Sequence, residues 1–185
     1  MKKQILLEAE ELMKKTLEKF RQEVLTIRTG RANVSMVENL KVECYSTTMT
    51  LNQIASLNVV EGKTIEIKPW DSNILPDIEK AILKSSLGIT PINDGRVIRL
   101  TVPPLTEERR KELVKYLKKM GEEFKITIRN ERRTALDKIK KLEKEKKISE
   151  DERYKTEEEL QKLTNNYIEK IEEVLATKEK EILET

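Results

Sequence analysis

The chain of 185 residues contains no histidine and a single cysteine, Cys44. Histidine is the commonest general base near neutral pH and the commonest metal ligand in proteins. Zinc sites and cysteine–histidine catalysis need more of both residues than this chain has. A phosphate-binding Walker loop and the glycine pattern of dinucleotide-binding folds are also missing. We therefore expect no metal site, no cofactor and no catalytic residue. An enzyme could use only Asp and Glu pairs, and these residues are scattered along the chain.

Long apolar runs are missing as well, and none approaches the length of a transmembrane helix. The chain does not begin with a charged segment, an apolar run and a cleavage site, as a secretory signal would. The net charge of +3 is too mild to indicate a nucleic-acid partner by itself. We expect a soluble, cytoplasmic protein that does not act at a membrane.

Proline and glycine are scarce outside the middle of the chain, where residues 32–106 hold all five prolines and three of the five glycines. This segment has 15 charged residues among 75, whereas its flanks have 56 among 110, a density typical of solvent-exposed helices. The pattern predicts an α+β protein with two domains. An elongated three-helix bundle would comprise 1–30 and 105–185, and a small mixed α/β domain would be inserted over 31–104.

Apolar residues in the flanks recur every three or four positions, which indicates amphipathic helices. The first predicted helix spans 2–28. The second begins after Thr106, a good N-cap residue, and the third follows the capping-box sequence at 149–152. The expected buried positions are Ile5, Ala9, Leu12, Thr16, Phe20, Val24 and Ile27; Leu113, Leu117, Met120, Phe124, Ile128, Ala135, Ile139 and Leu142; and Leu160, Leu163, Tyr167, Ile171, Val174 and Ile182.

The middle segment predicts strands where apolar and polar residues alternate, at 40–45 and 64–68, with a third strand at 97–102. The Asp94-Gly95 pair is typical of a tight turn. A short helix is predicted over 76–87, with Gly88 as its C-cap.

Two short segments join the predicted domains. The chain leaves the bundle at Gly30, Arg31 and Ala32 and returns at Pro103, Pro104 and Leu105. Such a two-chain connection can act as a hinge. The alternative is that the prolines only stiffen a connector.

The charges of the second predicted helix separate by face. An arc of roughly 120° away from the apolar stripe holds Lys111, Lys115, Lys118, Lys125, Arg129, Arg132, Arg133, Lys140, Lys144 and Lys147. A run of charge is usually only a solvated face. Gathering like charges nevertheless carries a repulsive cost that a polyanion would offset, and guanidinium groups suit phosphate.

Aromatic residues make up only 4% of the chain, so few side chains could stack on the bases of a single strand. Structured RNA is therefore the better candidate for the polyanion. Trp70 and Tyr45 are interpreted as core residues or surface anchors.

Four segments together carry a family resemblance. They are Arg28-Thr29-Gly30-Arg31-Ala32, Pro103-Pro104-Leu105-Thr106-Glu107-Glu108-Arg109-Arg110, Arg129-Asn130 with Arg132-Arg133, and Ser149-Glu150-Asp151. On these residues the chain resembles the bacterial ribosome recycling factor family along essentially its whole length. The resemblance implies a tRNA-sized, L-shaped molecule that acts after termination on the large ribosomal subunit. It also implies that elongation factor G and GTP cooperate in splitting the subunits, without covalent chemistry by the factor, which we expect to be a monomer.

The resemblance also implies which residues bind ribosomal RNA. Arg132 comes first, then Arg129 and Arg110, with Arg133 and Arg28 as further contacts; Arg28 and Arg31 could instead order the hinge. Three residues depart from the family pattern. Val34 stands where relatives commonly have proline, which implies a looser linker, and Leu75 stands where a polar residue often caps the helix of the small domain. Glu131 replaces a usually apolar residue and puts a negative charge close to the proposed phosphate contact. The alternative to a ribosome-binding factor is an adaptor protein whose long helices bind a partner helix.

Overall fold

A computed structural model of the protein describes residues 1–184, which divide into two compact units. The helical unit contains Met1–Arg28 and Thr106–Glu184, and the mixed unit contains Thr29–Leu105. In chain order the elements are α1 (Lys2–Leu25), β1 (Lys41–Cys44), β2 (Thr47–Thr50), α2 (Leu51–Ile54), β3 (Ala55–Val60), β4 (Thr64–Pro69), α3 (Leu75–Lys84), β5 (Ile92–Asn93), β6 (Ile98–Thr101), α4 (Glu107–Lys144) and α5 (Glu150–Glu184). No helix within residues 1–184 is long and apolar enough to cross a membrane. The predicted α+β class is confirmed.

The helical unit consists of α1, α4 and α5, and each pair of these helices is in contact. Their apolar stripes face one another, so the hydrophobic effect that stabilises long helices comes from packing between them. Phe20 of α1 and Phe124 of α4 meet with their ring centroids 5.0 Å apart, a distance at which aromatic pairs attract. Ile128, Ile139 and Ile171 are completely buried in the same unit.

The buried face of α1 differs from the prediction at three positions. Leu12 is 45% exposed, whereas its neighbour Met13 is completely buried and Leu17 is 4% exposed. Each residue advances about 100° around a helix, so an error of one position moves the expected side chain away from the core. The helix also ends at Leu25, three residues before the predicted end at 28. Just after Leu25, the Thr26 hydroxyl donates to the Glu23 carbonyl oxygen at 2.6 Å.

Helix α4 begins where the N-cap predicted it. The Thr106 hydroxyl accepts a hydrogen bond from the Arg109 amide at 3.1 Å, and Glu107 and Glu108 occupy the first turn, where the helix dipole favours acids. Gly121, in the middle of this 38-residue helix, is buried against Leu175 of α5. A Cβ atom on Gly121 would lie only 2.5 Å from Leu175 Cδ1. The glycine therefore permits a close approach of α4 and α5.

The turn between α4 and α5 places Lys146 in the left-handed region, at φ 57°. The Ser149 hydroxyl then accepts from the Glu152 amide at 3.1 Å, which is one of the two hydrogen bonds of the predicted capping box. The Glu152 carboxylate accepts from Lys2 Nζ at 2.8 Å, which ties α1 to the start of α5. The apolar stripe of α5 includes the buried Thr164, whose hydroxyl donates to the Leu160 carbonyl oxygen.

The mixed unit contains two antiparallel sheets. One is the β1–β2 hairpin, and the other has the strand order β3-β4-β6-β5. Helix α3 packs on this unit through Ile78 and Ile82, which join one core with the inward residues of the strands. That core comprises Val37, Val42, Cys44, Leu51, Ile54, Ala55, Ile65, Ile67, Ile74, Leu75, Ile78, Ile82, Ile98 and Leu100.

The strands predicted by alternation exist as β1, β4 and β6, whereas β2, β3 and β5 were not predicted. β3 lies at the edge of its sheet and has three exposed residues at its end, so its apolar residues do not alternate clearly. The Asp94-Gly95 turn is confirmed, since the Asp94 carboxylate accepts from the Arg96 and Val97 amides at 2.9 Å. Helix α3 is shorter than predicted because Ser85 leaves the helical conformation, three residues before Gly88.

Two of the family departures have local compensation. Helix α3 has no side-chain cap, as expected, but the Asp71 carboxylate accepts from the Asn73 amide at 2.9 Å and caps the short 3-10 turn Ser72–Ile74 that leads into it. At the other departure, Val34 begins a short 3-10 turn that is capped by Asn33.

Asp71 also accepts from the Tyr45 hydroxyl, which raises the pKa of Tyr45 to about 12. Tyr45 and Trp70 are 62% and 70% exposed, so of their two predicted roles that of core residues is wrong, and that of surface anchors stays a prediction.

Candidate nucleic-acid interface

Arg129, Arg132 and Arg133 lie within about one turn of α4, as the sequence requires. Arg129 and Arg133 are exposed, whereas Arg132 is half-buried because it lies nearer to α5. Ile128, one residue before the first arginine, is completely buried. The cluster therefore occupies the border between the packed face of α4 and its solvent face.

Eight of the ten residues in the predicted basic arc form two rows along α4. The other two were also expected to be part of the open basic surface but are paired with nearby acids. Lys111 Nζ lies 3.6 Å from a Glu107 carboxylate oxygen. Lys147, beyond the end of α4, lies 2.9 Å from a Glu145 carboxylate oxygen.

The row facing α5 comprises Lys118, Lys125 and Arg132, spaced seven residues apart. Lys118 Nζ lies 3.5 Å from a Glu179 carboxylate oxygen, and Lys125 Nζ lies 3.2 Å from a Glu172 carboxylate oxygen. These two lysines were predicted to be part of an open basic surface. Their ion pairs with α5 instead make them contacts between helices.

The second row, called here the outward row, remains open to solvent. It comprises Lys115, Arg129, Arg133, Lys140 and Lys144, all of which are exposed. Within residues 1–184, none of these five side chains forms an ion pair with a carboxylate. Its positive charge is therefore not neutralised by ion pairs, and five cations on one side of a helix form an electrostatic footprint suited to a phosphate backbone.

Arg132 has a neutral partner. Its Nη1 donates to Gln161 Oε1 of α5 at 3.4 Å, and Gln161 Nε2 donates to Asn165 Oδ1 at 2.8 Å. An amide oxygen satisfies a guanidinium donor without cancelling its charge. Reasoning from the sequence missed Gln161. The available signal was the spacing of two amide side chains four residues apart on the third predicted helix, which places them on one face.

Glu131 does not point toward the proposed phosphate contact, and that expectation is wrong. Its Oε1 accepts from the Thr16 hydroxyl of α1 at 2.5 Å, and its Oε2 is buried without a hydrogen-bond partner among residues 1–184. Burial raises the pKa of the Glu131 carboxyl above its ordinary value, while the hydrogen bond from Thr16 opposes that shift. Two residues along a helix turn the side chain by about 200°, so Glu131 faces α1 while Arg129 and Arg133 face away from it.

Arg110 lies far from the cluster. It is separated from Arg129 by 19 residues of the same helix, or roughly 28 Å at about 1.5 Å per residue. Arg110 is half-buried, and its Nη1 donates to the Leu183 carbonyl oxygen in the last turn of α5 at 3.3 Å. A cation at that position suits the negative end of the helix dipole, so Arg110 has a structural role that Arg129 lacks. Arg28 is exposed beyond the end of α1.

The residues predicted to form a hinge contact one another within the mixed unit. Gly30 has φ 79°, and a Cβ atom there would lie 3.2 Å from the Leu105 amide nitrogen. The Ala32 amide donates to the Gly62 carbonyl oxygen at 2.9 Å. Arg31, Pro103 and Pro104 are exposed. The two joining segments therefore lie side by side, and only glycine fits the first without strain.

Comparison with known protein families settles the assignment. The sequence profile of the family described as ribosome recycling factor matches residues 20–183. The chain belongs to the ribosome recycling factor family. A ribosome-recycling factor of Endomicrobium trichonymphae is 52% identical over 176 residues, which cover 95% of each chain. Another member of the family, from Trichlorobacter lovleyi, is 50% identical over 184 residues and covers 100% of both chains.

Two solved structures of the family are similar to this chain. A solution structure of ribosome recycling factor has a TM-score of 0.75 and 44% identity, and the match covers 100% of this chain and 98% of that one. The second contains the T. thermophilus ribosome recycling factor and the E. coli elongation factor G bound to the E. coli post-termination complex. Its TM-score is 0.62 with 44% identity, and the match covers 99% of both chains. The family assignment made from the sequence is confirmed.

Proposed function

We propose that this protein recycles ribosomes after termination: with elongation factor G and GTP, it splits the post-termination complex into subunits and frees them from the mRNA. The match to the family over nearly the whole chain carries this proposal. The similar structure of a relative together with elongation factor G on a post-termination complex supports the choice of partners. The protein itself makes or breaks no covalent bond, because GTP hydrolysis belongs to the elongation factor. It acts as a monomer in the cytoplasm.

Large-subunit ribosomal RNA binds the outward row of α4, with Arg129 and Arg133 as the central phosphate contacts and Arg132 beside them. Exposed guanidinium groups without carboxylate partners keep their charge available for phosphate. Phosphate contacts supply affinity and position without reading the base sequence. Arg28 is a further contact. Arg110 contributes less, since its guanidinium already binds a backbone carbonyl of α5.

The hinge is formed by Gly30, Arg31 and Ala32 with Pro103, Pro104 and Leu105. Its proposed role is to let the mixed unit move when elongation factor G pushes it, while the helical unit stays on the RNA. The adjacent course of the two segments and the left-handed conformation of Gly30 support this role, because rotation can concentrate in a narrow connection.

The direct test of this function is sedimentation of post-termination ribosomes with elongation factor G and GTP, with and without the protein. We expect free subunits only when all three components are present. A non-hydrolysable GTP analogue serves as the control and should abolish splitting. Intact ribosomes in the complete reaction, at protein concentrations that saturate binding, would contradict the proposed function.

A further inference from the structure

The contacts between α4 and α5 change in character at Arg132. Lys118 and Lys125 reach carboxylates of α5, whereas the equivalent contact of Arg132 is the amide of Gln161. A carboxylate at position 161 would form an ion pair and cancel most of the guanidinium charge. The amide accepts one hydrogen bond and leaves that charge intact.

The orientation of the Gln161 amide is fixed by its own neighbour. Gln161 Nε2 donates to Asn165 Oδ1 at 2.8 Å, so the amide oxygen is turned toward Arg132 Nη1. The three side chains form a directional chain from Arg132 through Gln161 to Asn165. A side chain held at one nitrogen loses less conformational freedom when its remaining donors bind a ligand.

We propose that Gln161 is a positioning residue for RNA binding, which orients the Arg132 guanidinium toward phosphate without neutralising it. This inference rests on the proposed function of α4 as the RNA-binding helix. Gln161 acts through Arg132, so its contribution should vanish when Arg132 is absent.

The chain offers a matched control for a charge test. Gln161→Glu and Asn166→Asp each replace an amide by a carboxylate of similar shape on α5, and both positions are exposed. Five residues of helix separate the two side chains by roughly 140°, so Asn166 faces away from the arginine cluster. The two variants have the same net charge and differ only in where the new charge lies.

The measurement is the affinity of the full-length protein for large ribosomal subunits over a series of salt concentrations. We expect Gln161→Glu to weaken binding about tenfold at low salt and to reduce the salt slope by about 1, as loss of one phosphate contact does. Arg132→Ala should have a similar effect. Asn166→Asp should bind within about twofold of the wild type, since it leaves the contacting groups unchanged. Gln161→Glu with wild-type affinity, or weaker binding with an unchanged salt slope, would overturn the inference.

A double-variant cycle separates positioning from a direct contact of Gln161 with RNA. Gln161→Leu removes the acceptor without adding charge, and it should weaken binding in the wild type but have little effect in Arg132→Ala. An equal effect in both backgrounds would contradict positioning. A different result would show that α4 is not the RNA-binding helix. In that case Arg129→Ala, Arg132→Ala and Arg133→Ala would all bind like the wild type.

Discussion

At the scale of single residues, the environment of a side chain decides whether its charge serves packing or binding. Lys125 and Arg129 are four residues apart on α4, and both belong to the basic arc seen in the sequence. Lys125 contacts Glu122 and Glu172, whereas Arg129 is exposed without an ion pair among residues 1–184. The pattern of one helix predicts the direction of both side chains. It cannot show that α5 brings a carboxylate to one of them and not to the other.

Glu131 gives a pH-dependent prediction. Its carboxyl has a raised pKa in the folded protein because of burial, so the folded state holds this proton more tightly than the unfolded chain does. The stabilising contribution of the protonated form is fully present below the unfolded pKa and is lost as the pH rises through the folded pKa. Glu131→Gln, which keeps an acceptor for Thr16 and stays neutral, should therefore raise the melting temperature at pH 7.

The same substitution should have a smaller effect in acid. As the pH falls toward 4, the wild-type carboxyl is protonated and resembles the amide, so the two melting curves should converge. Glu123→Gln provides the control, because Glu123 is an exposed acid in the interior of the same helix, away from the dipole-favoured first turn. A Glu131→Gln variant that is less stable than the wild type at pH 7 would show that the carboxylate charge stabilises the fold.

Among the secondary-structure elements, the N-caps of α4 and α5 could be predicted from the sequence, whereas the edge strand β3 and the end of α3 were not predicted. Thr106 and Ser149 begin their helices because each hydroxyl accepts a hydrogen bond from a backbone amide three residues later, an amide that has no partner within the helix. The interaction is local, so the sequence contains all of it. β3 depends on pairing with β4 across a turn, and α3 ends where Ser85 turns away rather than at a glycine. The pairing of β3 involves another strand, which the pattern within β3 does not encode. The end of α3 is local: the Ser85 hydroxyl donates to the Ile82 carbonyl oxygen and accepts from the Leu87 amide, a stop signal that the expectation of a terminal glycine missed.

The contact of α4 with α5 at Gly121 can be tested by a double-variant cycle. Alanine favours helix by about 1 kcal/mol over glycine, but its Cβ would lie 2.5 Å from Leu175 Cδ1 in the present packing. Displacing a packed side chain costs about 1 to 3 kcal/mol. We therefore expect Gly121→Ala to be neutral or destabilising in the wild type.

In a Leu175→Ala background the obstruction is gone, and Gly121→Ala should stabilise the protein by about 1 kcal/mol. Urea unfolding of the four proteins gives the coupling free energy between the two positions. The same change in unfolding free energy in both backgrounds would mean that the glycine is not required for close packing of the helices.

At the scale of the whole molecule, a small net charge conceals an uneven distribution. The chain has 37 basic and 34 acidic residues, which gives a net charge of only +3. Ion pairs across the helical unit engage much of this charge, as at Lys2 with Glu152 and Lys138 with Glu8. The outward row of α4 stays unpaired within the described residues. Composition could not predict this row. The helical periodicity did predict its face, and the structure separates it from the lysines paired with α5.

The family could be recognised from four short segments because their joint spacing is specific, and the matches over nearly the whole chain bear this out. The individual RNA contacts are a different matter. Arg110 and Arg129 match the family motifs equally well, yet one binds the last turn of α5 and the other is free in solvent. The local surroundings of each arginine therefore separate residues that the motif treats alike.

We propose that the outward row of α4 binds ribosomal RNA through its unpaired arginines. The most direct measurement is the salt dependence of ribosome binding for the Arg129→Ala/Arg133→Ala double variant. The control is Arg109→Ala, which removes an arginine on another side of α4 that is already paired with Glu112 at 2.9 Å. We expect the double variant to lose a salt slope of about 1.5 and to bind much more weakly at low salt. Its unfolding free energy should change by less than about 0.5 kcal/mol. A double variant that binds ribosomes with the same affinity and salt slope as Arg109→Ala would contradict the claim.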